Sequence, residues 1–379
     1  MKNGFKIFDS DIHVIEPANI FHDYLEASYR SRMPVMKRSD ITGVDTWVID
    51  GVQFPIWNEW PQFVKANSGL KQKKQKTEFQ VHAFENNFDA STTLEAMDLE
   101  GVDVAALFRT NGGTWILGLD DLEPEYAVAL CRAYNNWMYD YCQVSPSRLK
   151  GVGLLPLQAV DLAIEEARRV VNELGFVGVT LHSEPVNGRL LYDREMEPLW
   201  DELERLNVAV CMHGTSTAPG REDISRKYLL HPAGRTLTHA ISFPSQIMGS
   251  MGGLILSGVM ERHPLLRFAF LEANCSWLNW FLYRLDDQQL KYDDSPLIYK
   301  PSEYFYRQCL ISMEADEELA LPFINSTEGG FVVISTDYPH PDSAFPHSMD
   351  EFFELDIEPE IRRKILWENC TKLYGLENT

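Results

Sequence analysis

Paired cysteines, long apolar runs and positive charge are what this 379-residue sequence has least of. Its six cysteines, Cys131, Cys142, Cys211, Cys275, Cys309 and Cys370, never form a CxxC pair. That argues against a zinc knuckle or a thioredoxin-type site and for reduced thiols in a core. No apolar run approaches the length of a membrane-spanning helix, and Met1-Lys2-Asn3-Gly4 leads into a strand without the apolar core of a signal peptide. A cytoplasmic protein without membrane contact is expected. Lys and Arg number 34 against 56 Asp and Glu, a net charge of -22 with a pI near 4.8. Nucleic acid and anionic membranes, whose phosphates would be repelled, are thereby disfavoured as partners. The one basic cluster, Lys71, Lys73, Lys74 and Lys76, is short and reads as a solvated loop.

What is present suffices for a large core: 45% of residues are hydrophobic and 12% aromatic. A chain of this length makes two ordinary domains or one large barrel with insertions. Apolar runs at 5–8, 102–108, 150–156, 176–181, 208–212, 266–271, 308–313 and 331–336 read as eight strands. Helical text separates the later ones, over about 123–142, 159–174, 194–206 and 277–285, and a helix near 359–374 closes the chain. Apolar strands alternating with helices predict a parallel sheet buried on both faces, and eight of them predict a closed (β/α)8 TIM barrel. An open doubly wound sheet is the alternative, but no glycine-rich phosphate loop follows an early strand. Residues 18–90, with Trp47, Trp57 and Trp60, read as a long insertion after the first strand, a lid or an oligomer contact within a single barrel domain spanning 1–379.

In a barrel the C-terminal strand ends converge on one mouth. Asp11, His13, Arg109, His182, His213, Glu272 and Asp337 all sit at or just past predicted strand ends, so the fold makes them neighbours. Asp11 and His13, two apart on extended backbone, point to the same side and can grip one ion. Imidazoles and carboxylates suit zinc, manganese or iron, and Asp11, His13, His213 and Asp337 have the composition of a catalytic site with an open position. Arg109 could clamp a substrate carboxylate as a bidentate pair, or rest in an ion pair with one of many acidic side chains. Trp57, with Trp47 and Trp60, could close over a small-molecule substrate or anchor a homodimer.

Four stretches together resemble a known family: Phe8-Asp9-Ser10-Asp11-Ile12-His13 with Glu16-Pro17; Val208-Ala209-Val210-Cys211-Met212-His213-Gly214; His263-Pro264-Leu265-Leu266-Arg267-Phe268-Ala269-Phe270-Leu271-Glu272; and Ser335-Thr336-Asp337-Tyr338-Pro339-His340. The sequence is similar to the amidohydrolase-related branch of the amidohydrolase superfamily. That branch holds metal-dependent hydrolases and nonoxidative decarboxylases of the aminocarboxymuconate-semialdehyde decarboxylase type. The resemblance implies that Asp11 and His13 are the first-strand metal pair, with Asp in place of the usual first His. It further implies that His213 is the fifth-strand ligand and that Asp337 both binds metal and handles protons.

Two positions depart from the decarboxylase pattern: Glu272 stands where those enzymes carry a catalytic His, and His340 where they usually carry an aromatic residue. Either Glu272 replaces the general base and His340 hydrogen-bonds to it, or the pair holds a second metal, with His182 or His239 as further ligands. The leading expectation is hydrolysis of a small carboxylate- or amide-bearing molecule by a metal-activated water, with Asp337 or Glu272 taking the proton. The alternatives are a dinuclear iron or manganese oxygenase and a nonoxidative decarboxylase of a small aromatic or unsaturated acid. The expected metal is zinc, manganese or iron, one ion or two, and the expected assembly a homodimer, with a hetero-oligomer as the alternative.

Overall fold

The computed structural model describes residues 1–38, 45–55, 78–110, 116–215, 234–340 and 343–377. After β1 (Phe8–His13) the chain makes an antiparallel meander of β2 (Val35–Arg38), β3 (Asp45–Ile49) and β4 (Val52–Pro55). Seven further strands follow: β5 (Val104–Phe108), β6 (Leu149–Leu154), β7 (Gly178–Leu181), β8 (Ala209–His213), β9 (Arg267–Leu271), β10 (Cys309–Glu314) and β11 (Val332–Ser335). Together with β1 they form one parallel sheet in the order β1-β5-β6-β7-β8-β9-β10-β11, with β11 brought back beside β1. This is the expected (β/α)8 barrel.

Helices cover the outside, among them Pro124–Cys142, Val160–Asn172, Glu197–Leu206 and Leu278–Tyr292. Helix Val160–Asn172 shows why such segments settle there: Ala163, Ala167 and Val170 lie on one buried stripe at helical spacing. Every second residue of the strands faces inward, and Phe8, Ala106, Phe108, Val152, Ala209, Cys211, Ala269, Leu271 and Val333 fill the interior as one apolar cluster. The last helix, Asn369–Leu373, closes that cluster at the strands' N-terminal ends. Tyr374 stacks on Phe8 at 5.5 Å and donates its hydroxyl to the Ser10 carbonyl at 3.0 Å.

Two expectations need correction. The first strand is Phe8–His13, not 5–8, so Asp11 and His13 lie inside it and not beyond it. The apolar signal stops at Phe8 because the remaining inward residues face the mouth and its polar partners, not the core. A bulge between Asp9 and Ile12, where the register with β5 shifts, helps hide the alternation.

The 18–90 stretch is also more regular than the sequence suggests. It holds helix Ile20–Tyr24, a 3-10 turn at Ala27–Arg32, the meander and helix Glu78–Glu85. Trp47 does not reach a substrate: it is 2% exposed and meets the Phe21 ring edge-on at 5.4 Å, because β3 turns Trp47 and Ile49 together toward the core. Trp57, Trp60 and the lysine cluster lie outside the described residues.

Candidate metal centre

β1 carries Asp11 and His13 into the barrel mouth, and β8 brings His213 opposite them; all three are buried. The Nε2 atoms of the two imidazoles are 3.1 Å apart. His13 gives its Nδ1 proton to the Arg109 carbonyl at 2.7 Å, and His213 gives its own to the Gly214 carbonyl at 2.6 Å. A carbonyl can only accept, so both Nε2 atoms present lone pairs, the tautomer that metal ligation needs. Position 214 must be glycine for this turn: a Cβ there would come within 2.9 Å of the Glu272 carbonyl oxygen and of the Phe243 ring.

The Asp11 carboxylate completes this group. Its Oδ2 is 3.2 Å from His213 Nε2 and its Oδ1 is 3.6 Å from His13 Nε2. Both oxygens are buried without a hydrogen-bond donor among the described residues. Burial first, and then the neighbouring His340 and His213, hold the His13 pKa well below the ordinary histidine range, so its ring is neutral. Two facing lone pairs and an orphaned buried carboxylate fit a divalent cation and little else.

A second group lies on the solvent side. Glu272 follows β9 directly and Asp337 stands two residues past β11, and both have left-handed backbone, with φ of 50° and 56°. A non-glycine residue rarely adopts this conformation; here it turns two carboxylates out of the strand direction at a functional site. Asp337 Oδ1 is 3.4 Å from His13 Nε2 and 3.0 Å from His340 Nδ1. Glu272 Oε2 is 3.1 Å from His213 Nε2, and its Oε1 is 3.8 Å from His340 Nδ1. His340 stacks on His13 at 4.0 Å. The ligand atoms of His13, Glu272, Asp337 and His340 all lie within 4.8 Å of one another, as do those of Asp11, His13 and His213.

Arg109 follows β5 and is 1% exposed, with none of its guanidinium nitrogens hydrogen-bonded among the described residues. The ion pair that would have made it a structural residue is not seen there. Burial lowers its pKa, opposed by the nearby Tyr134, Glu272, Asp11 and Glu16. Among the sequence-derived candidates, His182 and His239 belong to neither convergent group of ligand atoms. His182 accepts the Glu184 amide on Nδ1 at 3.1 Å and turns Nε2 toward Gly118, where an added Cβ would lie 2.6 Å from it. His239 sits in a π-helical turn, half-buried, its ring 4.6 Å from that of Phe243.

Sequence reasoning passed over two buried residues. Tyr134 lies mid-helix near Arg109, its hydroxyl buried without a hydrogen-bond partner among the described residues; helical spacing marks it only as core. Asp9, whose carboxyl burial pushes up to about 8, touches the backbone of Asp11 and Thr336. The Asp-x-Asp-x-His spacing was its only signal.

The amidohydrolase family profile matches residues 80–376. Gamma-resorcylate decarboxylase of Rhodococcus jostii (strain RHA1) is 28% identical over 309 residues, which cover 74% of this chain and 89% of that protein. The 2-amino-3-carboxymuconate-6-semialdehyde decarboxylase of Dictyostelium discoideum is 25% identical over 305 residues, covering 77% of this chain and 78% of that one. The fold is shared with 5-carboxyvanillate decarboxylase of Novosphingobium aromaticivorans DSM 12444, solved with manganese and 3-methoxy-4-hydroxy-5-nitrobenzoic acid. The TM-score is 0.70 at 20% identity, over 99% of this chain and 98% of that one. With the profile running from helix Glu78–Glu85, beyond the meander, through the last helix, the chain belongs to the amidohydrolase family.

Proposed function

We propose that this enzyme is a divalent-metal-dependent decarboxylase that removes carbon dioxide from a small aromatic carboxylic acid without an oxidant. The observation that carries the reading is Arg109, a buried guanidinium without a hydrogen-bond partner among the described residues, whose own carbonyl orients the metal-site His13. Such a cation is costly to bury alone, and a substrate carboxylate offsets that cost through two parallel hydrogen bonds. Both relatives compared above are decarboxylases, which moves this reaction ahead of the hydrolysis that the sequence puts first.

Asp11, His13, His213 and Asp337 would hold the metal, and the manganese of the 5-carboxyvanillate decarboxylase makes that ion the first to test. When bound, the ion supplies a Lewis acid that draws electron density from a substrate oxygen. Arg109 orients the departing carboxylate. The bond from ring carbon to carboxylate carbon breaks, its electron pair stays on the ring carbon, carbon dioxide leaves, and a proton takes its place. Glu272 carries that proton: its side chain is 13% exposed, it reaches the histidine pair, and its left-handed backbone aims it into the mouth. His340, in reach of both Glu272 and Asp337, connects these carboxylates to the open side.

A second reading rests on the four convergent ligands His13, Glu272, Asp337 and His340. Two redox metals there would favour oxygen chemistry. One experiment separates the readings: manganese-loaded enzyme is incubated with hydroxybenzoic and carboxyvanillic acids in deuterated water, while gas exchange and the ring protons are followed. Release of carbon dioxide with one deuterium at the vacated ring position is expected. Oxygen uptake with a hydroxylated product, or cleavage of an ester or amide panel with the acids untouched, would overturn it.

A further inference from the structure

The barrel closes between β1 and β11 without a backbone ladder among the described residues. One backbone bond crosses the seam just past β11, from the His13 N–H to the Tyr338 carbonyl at 2.7 Å, and side chains supply the other crossings. Ser10 Oγ donates to the Ile334 carbonyl at 2.7 Å, and Ser335 Oγ to the Asp11 carbonyl at 3.3 Å. Asp9 crosses it differently. Its Oδ1 accepts the amide of Asp11 at 3.1 Å and the amide of Thr336 at 3.2 Å, and its Oδ2 accepts the Thr336 hydroxyl at 2.5 Å. Asp9 is fully buried.

The two amides are not arbitrary. One belongs to the metal-site residue Asp11, inside the bulge that takes it out of register with β5. The other belongs to Thr336, the residue before Asp337, where β11 ends and the backbone turns left-handed. Both interruptions leave an N–H that a regular ladder would have paired. A single oxygen answers both, so the backbones that aim the Asp11 and Asp337 carboxylates are held to one atom. Closure alone would not require this, because the two serines already bridge the seam.

We propose that Asp9 is a positioning residue of the metal centre: with Thr336 it forms a clasp that sets the separation of Asp11 and Asp337, and thereby the affinity for a divalent ion. The inference rests on the metal-centre reading above. Asp9 itself touches neither substrate nor ion.

The test uses the full-length chain stripped of metal and reloaded with manganese, with affinity measured by competition against a chromophoric chelator. The visible spectrum of the cobalt-substituted protein is recorded alongside. Asp9→Ala is expected to weaken manganese binding about 10–100-fold, the usual effect of losing a group that orients ligands, and to change the cobalt spectrum. Asp9→Asn restores affinity to within about threefold, since the amide oxygen keeps both N–H bonds and the amide nitrogen reaches the Thr336 hydroxyl. Ser10→Ala, which deletes a seam bond made to neither aiming amide, lowers the melting temperature and leaves affinity unchanged. Thr336→Val, which deletes the hydroxyl's bond to Asp9 and the long 3.5 Å bond it accepts from the Tyr338 amide but keeps the Thr336 amide on Asp9, gives a smaller loss of affinity and serves where Asp9→Ala does not fold. Asp9→Ala or Thr336→Val binding manganese like the parent, or Ser10→Ala weakening it as much as they do, would overturn the clasp. A parent protein that binds no stoichiometric metal would instead strike the reading on which the clasp rests.

Discussion

His13 and His213 aim Nε2 at Nε2 across 3.1 Å, and neither nitrogen holds a proton for the other, because each ring gives its Nδ1 proton to a backbone carbonyl. Facing lone pairs beside a buried carboxylate repel unless a cation lies among them. Removing metal with a chelator should therefore destabilise the protein. At a manganese concentration 100 times Kd, binding contributes about 2.7 kcal/mol. Calorimetry before and after stripping should show the melting temperature fall and return on reloading; equal temperatures would count against a metal centre.

Asp337→Asn keeps the shape of the side chain and removes its charge and its proton chemistry. Turnover should fall about 100- to 10,000-fold with an unchanged circular dichroism spectrum. An active Asp337→Asn enzyme would sink the assignment of Asp337 to the site.

Glu272 offers two outcomes that metal analysis separates. As the proton carrier, Glu272→Gln keeps the metal content of the parent and loses about 100-fold or more in kcat. If its content of manganese or iron falls from about two equivalents to one, Glu272 is a ligand and the second-metal reading takes over.

Arg109→Met tests whether the guanidinium serves the fold or the substrate. A structural ion pair would make the variant less stable. A cation buried for a ligand predicts the opposite sign: the melting temperature without substrate stays level or rises, because an apolar side chain replaces an unpaired buried charge. The catalytic efficiency kcat/KM should drop about 10- to 150-fold, the worth of hydrogen bonds to a charged group.

Asn135→Ala reports on stability away from the chemistry. The Asn135 amide pairs with the Leu154 N–H at 2.8 Å, the Leu154 carbonyl at 3.0 Å and Glu166 at 2.7 Å, all in buried surroundings. Losing it strips these bonds from the Leu154 backbone at the end of β6, while Glu166 keeps Arg132 and Arg169, and should cost about 3 kcal/mol in chemical denaturation. Manganese affinity should not change.

Seven barrel strands could be read as apolar runs because a parallel strand covered on both faces has no polar alternation to confuse it. β1 was misplaced for the converse reason: its second half faces the mouth, and Asp9, Asp11 and His13 look like the end of a strand when only apolarity is counted. The convergence of candidate ligands was legible where a ligand type stands near a strand end, as for Asp11, His13, His213, Glu272 and Asp337. The same rule drew in His182, which follows β7 but aims at Gly118. His239, in a π-helical turn, shows that residue type without placement says nothing about convergence.

The order of strands and helices, the apolar interior and the ligand-type residues near strand ends belong to the sequence itself, since they follow from period, composition and spacing within short stretches of chain. Only tertiary structure decided which of those residues meet. The distances among Asp11, His213, Glu272 and Asp337 depend on how β1, β8, β9 and β11 close around one interior. The tautomers depend on carbonyls of other residues, and the aim of Glu272 and Asp337 on left-handed turns that few side chains adopt unless surrounding structure enforces them. The seam clasp at Asp9 joins positions more than 300 residues apart, a contact that no local pattern encodes.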